Sequence, residues 1–169
     1  TTLQKTSQAI HDEYASDFSR INEINEGVVR RIQEVIPGPA ANRIRFLYIG
    51  RAHSGVIGTE NRVYDELLRA MAVRDLEPDM RAQVEALASD FVASSNTAID
   101  RMVRVEKKTG SESQFDWFGS TEPSEEQDQL RKMRAAQNEY NDQVLVDLKT
   151  VLGDRWDDFK RGKVRTLGE

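Results

Sequence analysis

The 169-residue chain contains no cysteine, and that one absence excludes a disulfide framework, a thiolate metal site and a cysteine nucleophile. Histidine is nearly missing as well. His11 and His53 are the only two, too few for a histidine-rich metal centre. Proline occurs four times and glycine ten times, with Pro37, Gly38 and Pro39 bunched together, so long stretches remain in which a helix can run uninterrupted. No apolar run reaches roughly 18 residues, which excludes an ordinary membrane-spanning helix. Charge of one sign is not in large excess either. A net charge of −5 on 31% charged residues lacks the concentrated basic surface that phosphate backbones require, so no nucleic-acid partner is expected.

What is present is helical periodicity, and it predicts an all-α chain of long amphipathic helices, in antiparallel hairpins or a bundle, forming one domain over 1–169. From Leu3 the apolar positions Ile10, Tyr14, Phe18, Ile21, Ile24, Val28, Ile32 and Val35 recur at three- and four-residue steps after the first gap. They place a single stripe on a helix over about 2–36, about nine turns long. Pro37-Gly38-Pro39 ends it by removing backbone donors. A helix of that length with one apolar stripe is not stable alone and needs another helix, from this chain or from a second copy.

The short run Ile44, Phe46, Leu47, Tyr48 and Ile49 is read as helix, and the three glycines of 50–58 as a loop. Thr59 then offers an N-cap oxygen to a helix with Val63, Leu67, Leu68 and Met71 on one face. A further helix is expected over about 77–109. Pro78 suits its first turn, Glu77 and Asp79 complement its positive end, and Met80, Val84, Leu87, Phe91, Ala98, Met102 and Val105 point inward. After an aromatic loop at 111–121, a helix over about 123–152 carries Leu130, Met133, Tyr140, Val144, Leu148 and Val151, and a short terminal helix follows over about 154–162.

Signatures of chemistry fail on inspection. Gly50 and Gly55 have the spacing of a phosphate-binding loop, but Val56 and Ile57 stand where its lysine and hydroxyl residue belong. Ser54 beside His53 lacks the flanking glycines of a nucleophile elbow, since Ala52 and Val56 occupy those positions. His11, Asp12 and Glu13 are adjacent on a helix, about 100° apart, and do not converge on one ion. No catalytic residue, cofactor or metal ligand is therefore assigned, and the chain is read as a non-enzyme. The remaining prominent feature is the aromatic loop. Phe115, Trp117 and Phe118, in an otherwise polar connection, either cap the core or remain available as a partner contact. The basic run Lys160, Arg161, Lys163 and Arg165 is read as cations favouring a helix C-terminus.

One segment resembles a known family. Leu76-Glu77-Pro78-Asp79-Met80-Arg81-Ala82-Gln83-Val84 is similar to the L-T-x-x-Q helix start of the Spy and CpxP family of periplasmic helical proteins, with Leu76, Pro78, Met80, Arg81 and Gln83 carrying the likeness. A second echo lies at Val151-Leu152-Gly153-Asp154-Arg155-Trp156-Asp157-Asp158-Phe159-Lys160. The family's threonine is replaced by Glu77 and Gly153, and its glutamine by Met80 and Arg155. The resemblance implies a periplasmic, ATP-independent chaperone or stress protein, a dimer holding unfolded clients. It also implies a periplasmic or secreted location after leader removal, with the cytoplasm left open. The metal-sensing members use clustered histidines, which this chain lacks. The competing expectation is a structural protein that self-assembles into oligomers, filaments or lattices. In both, a second copy of the chain is a partner.

Overall fold

A computed structural model describes residues 2–36, 38–53, 55–113 and 124–166; within these, the side chains of 2–12, 14, 15, 18, 19 and 109–113 are not described. The fold is all-α. Its helices are α1 (Thr2–Val35), α2 (Pro39–Ala52), α3 (Glu60–Met71), α4 (Pro78–Ser113), α5 (Glu125–Leu152) and α6 (Trp156–Lys160), with a 3-10 turn over Gly153–Arg155 leading into the last. Among the described residues there is no strand, only an isolated bridge between Val73 and Thr166.

The chain divides into two compact units, Thr1–Tyr48 and Ile49–Glu169. In the first, Gly38 takes φ +86°, a left-handed conformation that a residue with a Cβ adopts only at a cost, and Pro39 then opens α2 at the position where its missing N–H is no loss. The Tyr48 hydroxyl donates to the Asn22 carbonyl of α1 at 3.2 Å. This bond lies on a definite face of α1: Asn22, Glu26, Val29 and Gln33, at steps of four, three and four, are half-buried. The run from Arg43 to Ile49 is helical, within α2. The helix also extends through Gly50 to Ala52, so the connection expected at 50–58 begins only at His53.

The second unit is built on α3, α4 and α5, which pack on one another. Its buried stripe on α4 is Val84, Ala88, Phe91, Ser95, Ile99 and Met102, and on α5 it is Gln137, Asn141, Val144, Leu148 and Leu152. Val63, Tyr64, Leu67 and Ala70 close it from α3. Three rings run through the centre: Tyr64 stacks on Phe91 at 6.4 Å between centroids, and Phe91 on Tyr140 at 6.2 Å. Phe91 faces Tyr140, and one turn further along α4 Ser95 meets Gln137, about one turn back along α5.

Local chemistry fixes the ends of these helices. Ser124 accepts from the Gln127 amide while the Gln127 side chain accepts from the Ser124 amide, a reciprocal capping box that starts α5. Gly153 ends α5 at φ +52°. Residues 111–113, expected to begin a loop, continue α4 instead. Beyond α5 the chain returns to α3, where Phe159 is buried beneath the Arg69 guanidinium, 4.9 Å from the ring centroid. Lys160 pairs with Glu66 at 2.7 Å and lies over the Trp156 ring. This member of the basic terminal run thus ties α6 to α3.

Candidate functional site

Polar residues occupy the middle of the second unit, which a purely apolar stripe would have excluded. Gln137 Nε2 donates to Ser95 Oγ at 3.2 Å and to Asn141 Oδ1 at 3.0 Å, and Asn141 Nδ2 donates to Thr59 Oγ1 at 3.0 Å. Ser95 and Asn141 are fully buried and Gln137 nearly so. The expected role of Thr59 is corrected by this contact, because its hydroxyl oxygen caps no helix amide but accepts from Asn141. The start of α3 is held by the buried Glu60, whose carboxylate accepts from the Gly58 amide at 2.7 Å.

The same connection is stapled at its other end. His53, buried, places Nδ1 2.5 Å from Glu106 Oε2 on α4. The His53 amide donates to Ile49 and its carbonyl accepts from Val56, so the ring is fixed by backbone on both sides. The glycines serve close approach. A Cβ on Gly55 would sit 2.7 Å from Glu106 Oε1, and one on Gly58 would sit 2.8 Å from Asn138 Oδ1. The glycine-rich connection is thus pressed onto α4 and α5 by hydrogen bonds among its own residues and theirs.

Ser95, Gln137, Asn141 and the Thr59 hydroxyl are hydrogen-bonded to one another, whereas Asn138 Oδ1 is buried without a hydrogen-bond partner; Ser54 lies outside the described residues, as do any side-chain contacts of His11. Among the described residues no group of three His, Asp or Glu side chains is placed to hold a metal ion. No described helix is long and apolar enough to cross a membrane.

The residues of the family-like segment have a common place. Pro78 is the first residue of α4, Leu76 is buried, Met80 is half-buried and Gln83 is exposed. Arg81 does the connecting. Its guanidinium donates to the carbonyls of Met71 at 3.0 Å, Val73 at 2.8 Å and Arg74 at 3.2 Å, satisfying the open end of α3 from the first turn of α4. Arg155, in the second echo, donates to the Asp75 carbonyl, so the two echoes meet at this connection. The candidate contact residues Phe115, Trp117 and Phe118 lie outside the described residues.

The first unit presents a different kind of surface. Ile21, Ile24, Val28 and Val35 of α1 are 53%, 59%, 50% and 79% exposed, and Ile36 and Leu47 are also open. In the second unit Val146 is the one large apolar side chain of this kind among the described residues. Of the apolar stripe read from the sequence, Ile21, Ile24, Val28 and Val35 are open and Ile32 is half-buried, while Asn22, Glu26, Val29 and Gln33 are half-buried on another side of α1. Comparison with known proteins gives no matching family model, no matching curated protein and no matching solved structure.

Proposed function

We propose that this chain is a non-enzymatic binding protein whose working surface is the apolar face of α1. The observation that carries the reading is the exposure of Ile21, Ile24, Val28 and Val35 on one side of a 34-residue helix. A contiguous apolar strip flanked by charges of both signs suits association with apolar protein segments. In the terms of the Spy and CpxP resemblance, the function is that of an ATP-independent chaperone or envelope stress protein, working in the periplasm. Holding of unfolded clients needs apolar area without a shape-specific pocket, which an open helical strip provides.

The test replaces Ile21, Ile24 and Val28 together by Gln, a good helix former, and measures suppression of aggregation of a chemically denatured client. The unaltered chain should delay aggregation at equimolar ratio, and the triple variant should lose that effect with helicity retained. Equal suppression by both would place the binding surface elsewhere. Absence of suppression by the unaltered chain would remove the chaperone reading.

A second reading, self-assembly, is favoured by a separate observation: the spacing of the exposed residues. Ile21, Val28 and Val35 repeat every seven positions, with Ile24 between the first two, which is the interval of a helix-to-helix seam. Light scattering over a hundredfold concentration range separates the outcomes. A small closed oligomer fits a two-fold pairing, and continued growth fits a filament or lattice.

A further inference from the structure

We infer that α1 pairs with α1 of a second copy, antiparallel, about a two-fold axis level with residue 26. The inference rests on the self-association reading and adds to it the partner, the orientation and the register.

The argument begins from the heptad. With Ile21, Val28 and Val35 at the first position of each repeat, the fourth position holds Asp17, Ile24 and Arg31. All of these are exposed on the chain. A seam that mixes apolar residues with two charges of opposite sign restricts how two copies can meet. Parallel, in-register pairing sets Asp17 directly against Asp17 and Arg31 directly against Arg31, two like-charge layers within one short seam.

Antiparallel pairing about residue 26 removes both clashes. Its layers set Ile24 against Val28 of the second copy, Ile21 against the stem of Arg31, and Asp17 against Val35, each occurring twice by symmetry. The flanking position before each heptad holds Glu13, Arg20, Gly27 and Glu34. In this register Arg20 faces Glu34 of the second copy at both ends, and the two Gly27 residues meet at the centre. Each end therefore gathers Asp17 and Arg20 from one copy with Arg31 and Glu34 from the other, a neutral group of four charges. Sliding the partner one heptad toward the N-terminus instead sets Glu34 against Glu13. The charges thus favour the register about residue 26 over that one.

The covered side of α1 is compatible with this seam. The Tyr48 bond falls on Asn22, at steps of four and seven from Glu26 and Val29, and all three lie away from the heptad's first and fourth positions. The pairing therefore leaves the Tyr48 contact in place.

Because the chain has no cysteine, single cysteines report pairing cleanly. Positions 17 and 35 are about 27 Å apart along a helix, far beyond the reach of a disulfide. The Asp17→Cys and Val35→Cys full-length variants should each stay uncross-linked alone under mild oxidation and form a disulfide when mixed. Cross-linking of each variant with itself would overturn the antiparallel pairing and leave self-association standing. A dimer by light scattering with no cross-link in the mixture would overturn the register in the same way. A monomer at every concentration would overturn both this inference and the self-association reading. Charge exchange provides an independent test. Arg20→Glu should weaken the dimer about tenfold, by loss of two pairs and gain of repulsion, and Glu34→Arg in the same chain should restore it. Arg20 and Glu34 of one helix are about 21 Å apart, so restoration reports a contact between copies. A double variant weaker than either single variant would overturn the register.

Discussion

Replacing Asn141 by Leu should cost the second unit about 2–4 kcal/mol, while replacing the whole polar layer should cost much less. Asn141 is fully buried, accepts from Gln137 at 3.0 Å and donates to Thr59 at 3.0 Å. Leu is close to Asn in shape and removes both partners at once. One amide donor of Gln137 is then buried with nothing to bond, and the Thr59 hydroxyl loses its donor. A buried polar group left unsatisfied costs about 1–3 kcal/mol, so two such losses account for the range given. Thr59 is half-buried, which puts its share at the low end. Against the total stability of an ordinary domain, about 5–15 kcal/mol, this is a large fraction.

The contrast that tests the reasoning is the triple variant Ser95→Ala, Gln137→Met and Asn141→Leu. It removes both members of each buried pair on α4 and α5 and leaves only the half-buried Thr59 hydroxyl, which can turn toward solvent. Replacing a complete polar layer by apolar groups of similar shape is nearly neutral or stabilising, because no orphaned donor remains. Urea unfolding followed by circular dichroism reads the difference: the midpoint should fall strongly for Asn141→Leu and recover in the triple variant, with the slope unchanged in both. A triple variant as unstable as the sum of its single changes would refute the account. The layer would then be stabilising through its hydrogen bonds, not costly only when incomplete.

Three further outcomes follow from named contacts. Arg81→Met should destabilise the second unit by about 1.5–3 kcal/mol, the value of charge-assisted bonds to the end of α3, and Arg81→Lys should fail to restore it, since one ammonium does not span carbonyls of Met71, Val73 and Arg74; urea midpoints check both. Ser124→Ala should cost about 1 kcal/mol through loss of the α5 cap, read by the same unfolding curve. The Tyr48 phenol is pushed above its ordinary value near 10 by burial and by the nearby Glu26 carboxylate. The unfolded chain therefore releases this proton first as pH rises, so the stabilisation is intact below about 10 and declines from there through the raised folded value. Ultraviolet titration of tyrosinate should show a late-ionising component that is lost in Tyr48→Phe; a titration curve whose late component is unchanged by the substitution would remove the effect.

The helices were legible because each carries a long periodic signal. Val84, Phe91 and Met102 on α4, and Val144 and Leu148 on α5, lie buried on the faces that periodicity marks. The polar layer was not legible for the same reason. Ser95, Gln137 and Asn141 continue the buried stripe at helical spacing, but a polar residue read alone goes to the solvent side, so periodicity points Tyr140 and Leu130 inward and gives no signal for Gln137 and Asn141. Thr59 was misread through the same blindness to distant partners: its hydroxyl could cap its own helix, and a side chain 82 positions away competes for it. Arg81 drew notice only as part of a family echo. Its acceptors lie seven to ten residues back, at a helix end whose direction no periodicity conveys.

Periodicity states that a face is apolar without stating what lies against it, and α1 shows the consequence. Its stripe runs through Ile10, Tyr14, Phe18, Ile21, Ile24, Val28, Ile32 and Val35, and of these Ile21, Ile24, Val28 and Val35 are open on the chain while Ile32 is half-buried. The two units depart from the simple rule in opposite senses: the second buries Ser95, Gln137 and Asn141, and the first exposes four aliphatic residues on one helix. The departures have different physical standing. A buried polar layer is complete within the chain once its hydrogen bonds are made, so it explains itself as a device that fixes one packing of α4 on α5. An exposed aliphatic seam is incomplete, because its area is in contact with water and nothing local offsets that cost. Consistency across a sequence fails most often where function lies. Of the two departures, only the seam on α1 leaves apolar area open to water, and the proposed pairing would cover that area while setting Asp17 and Arg20 beside Arg31 and Glu34 of a second copy.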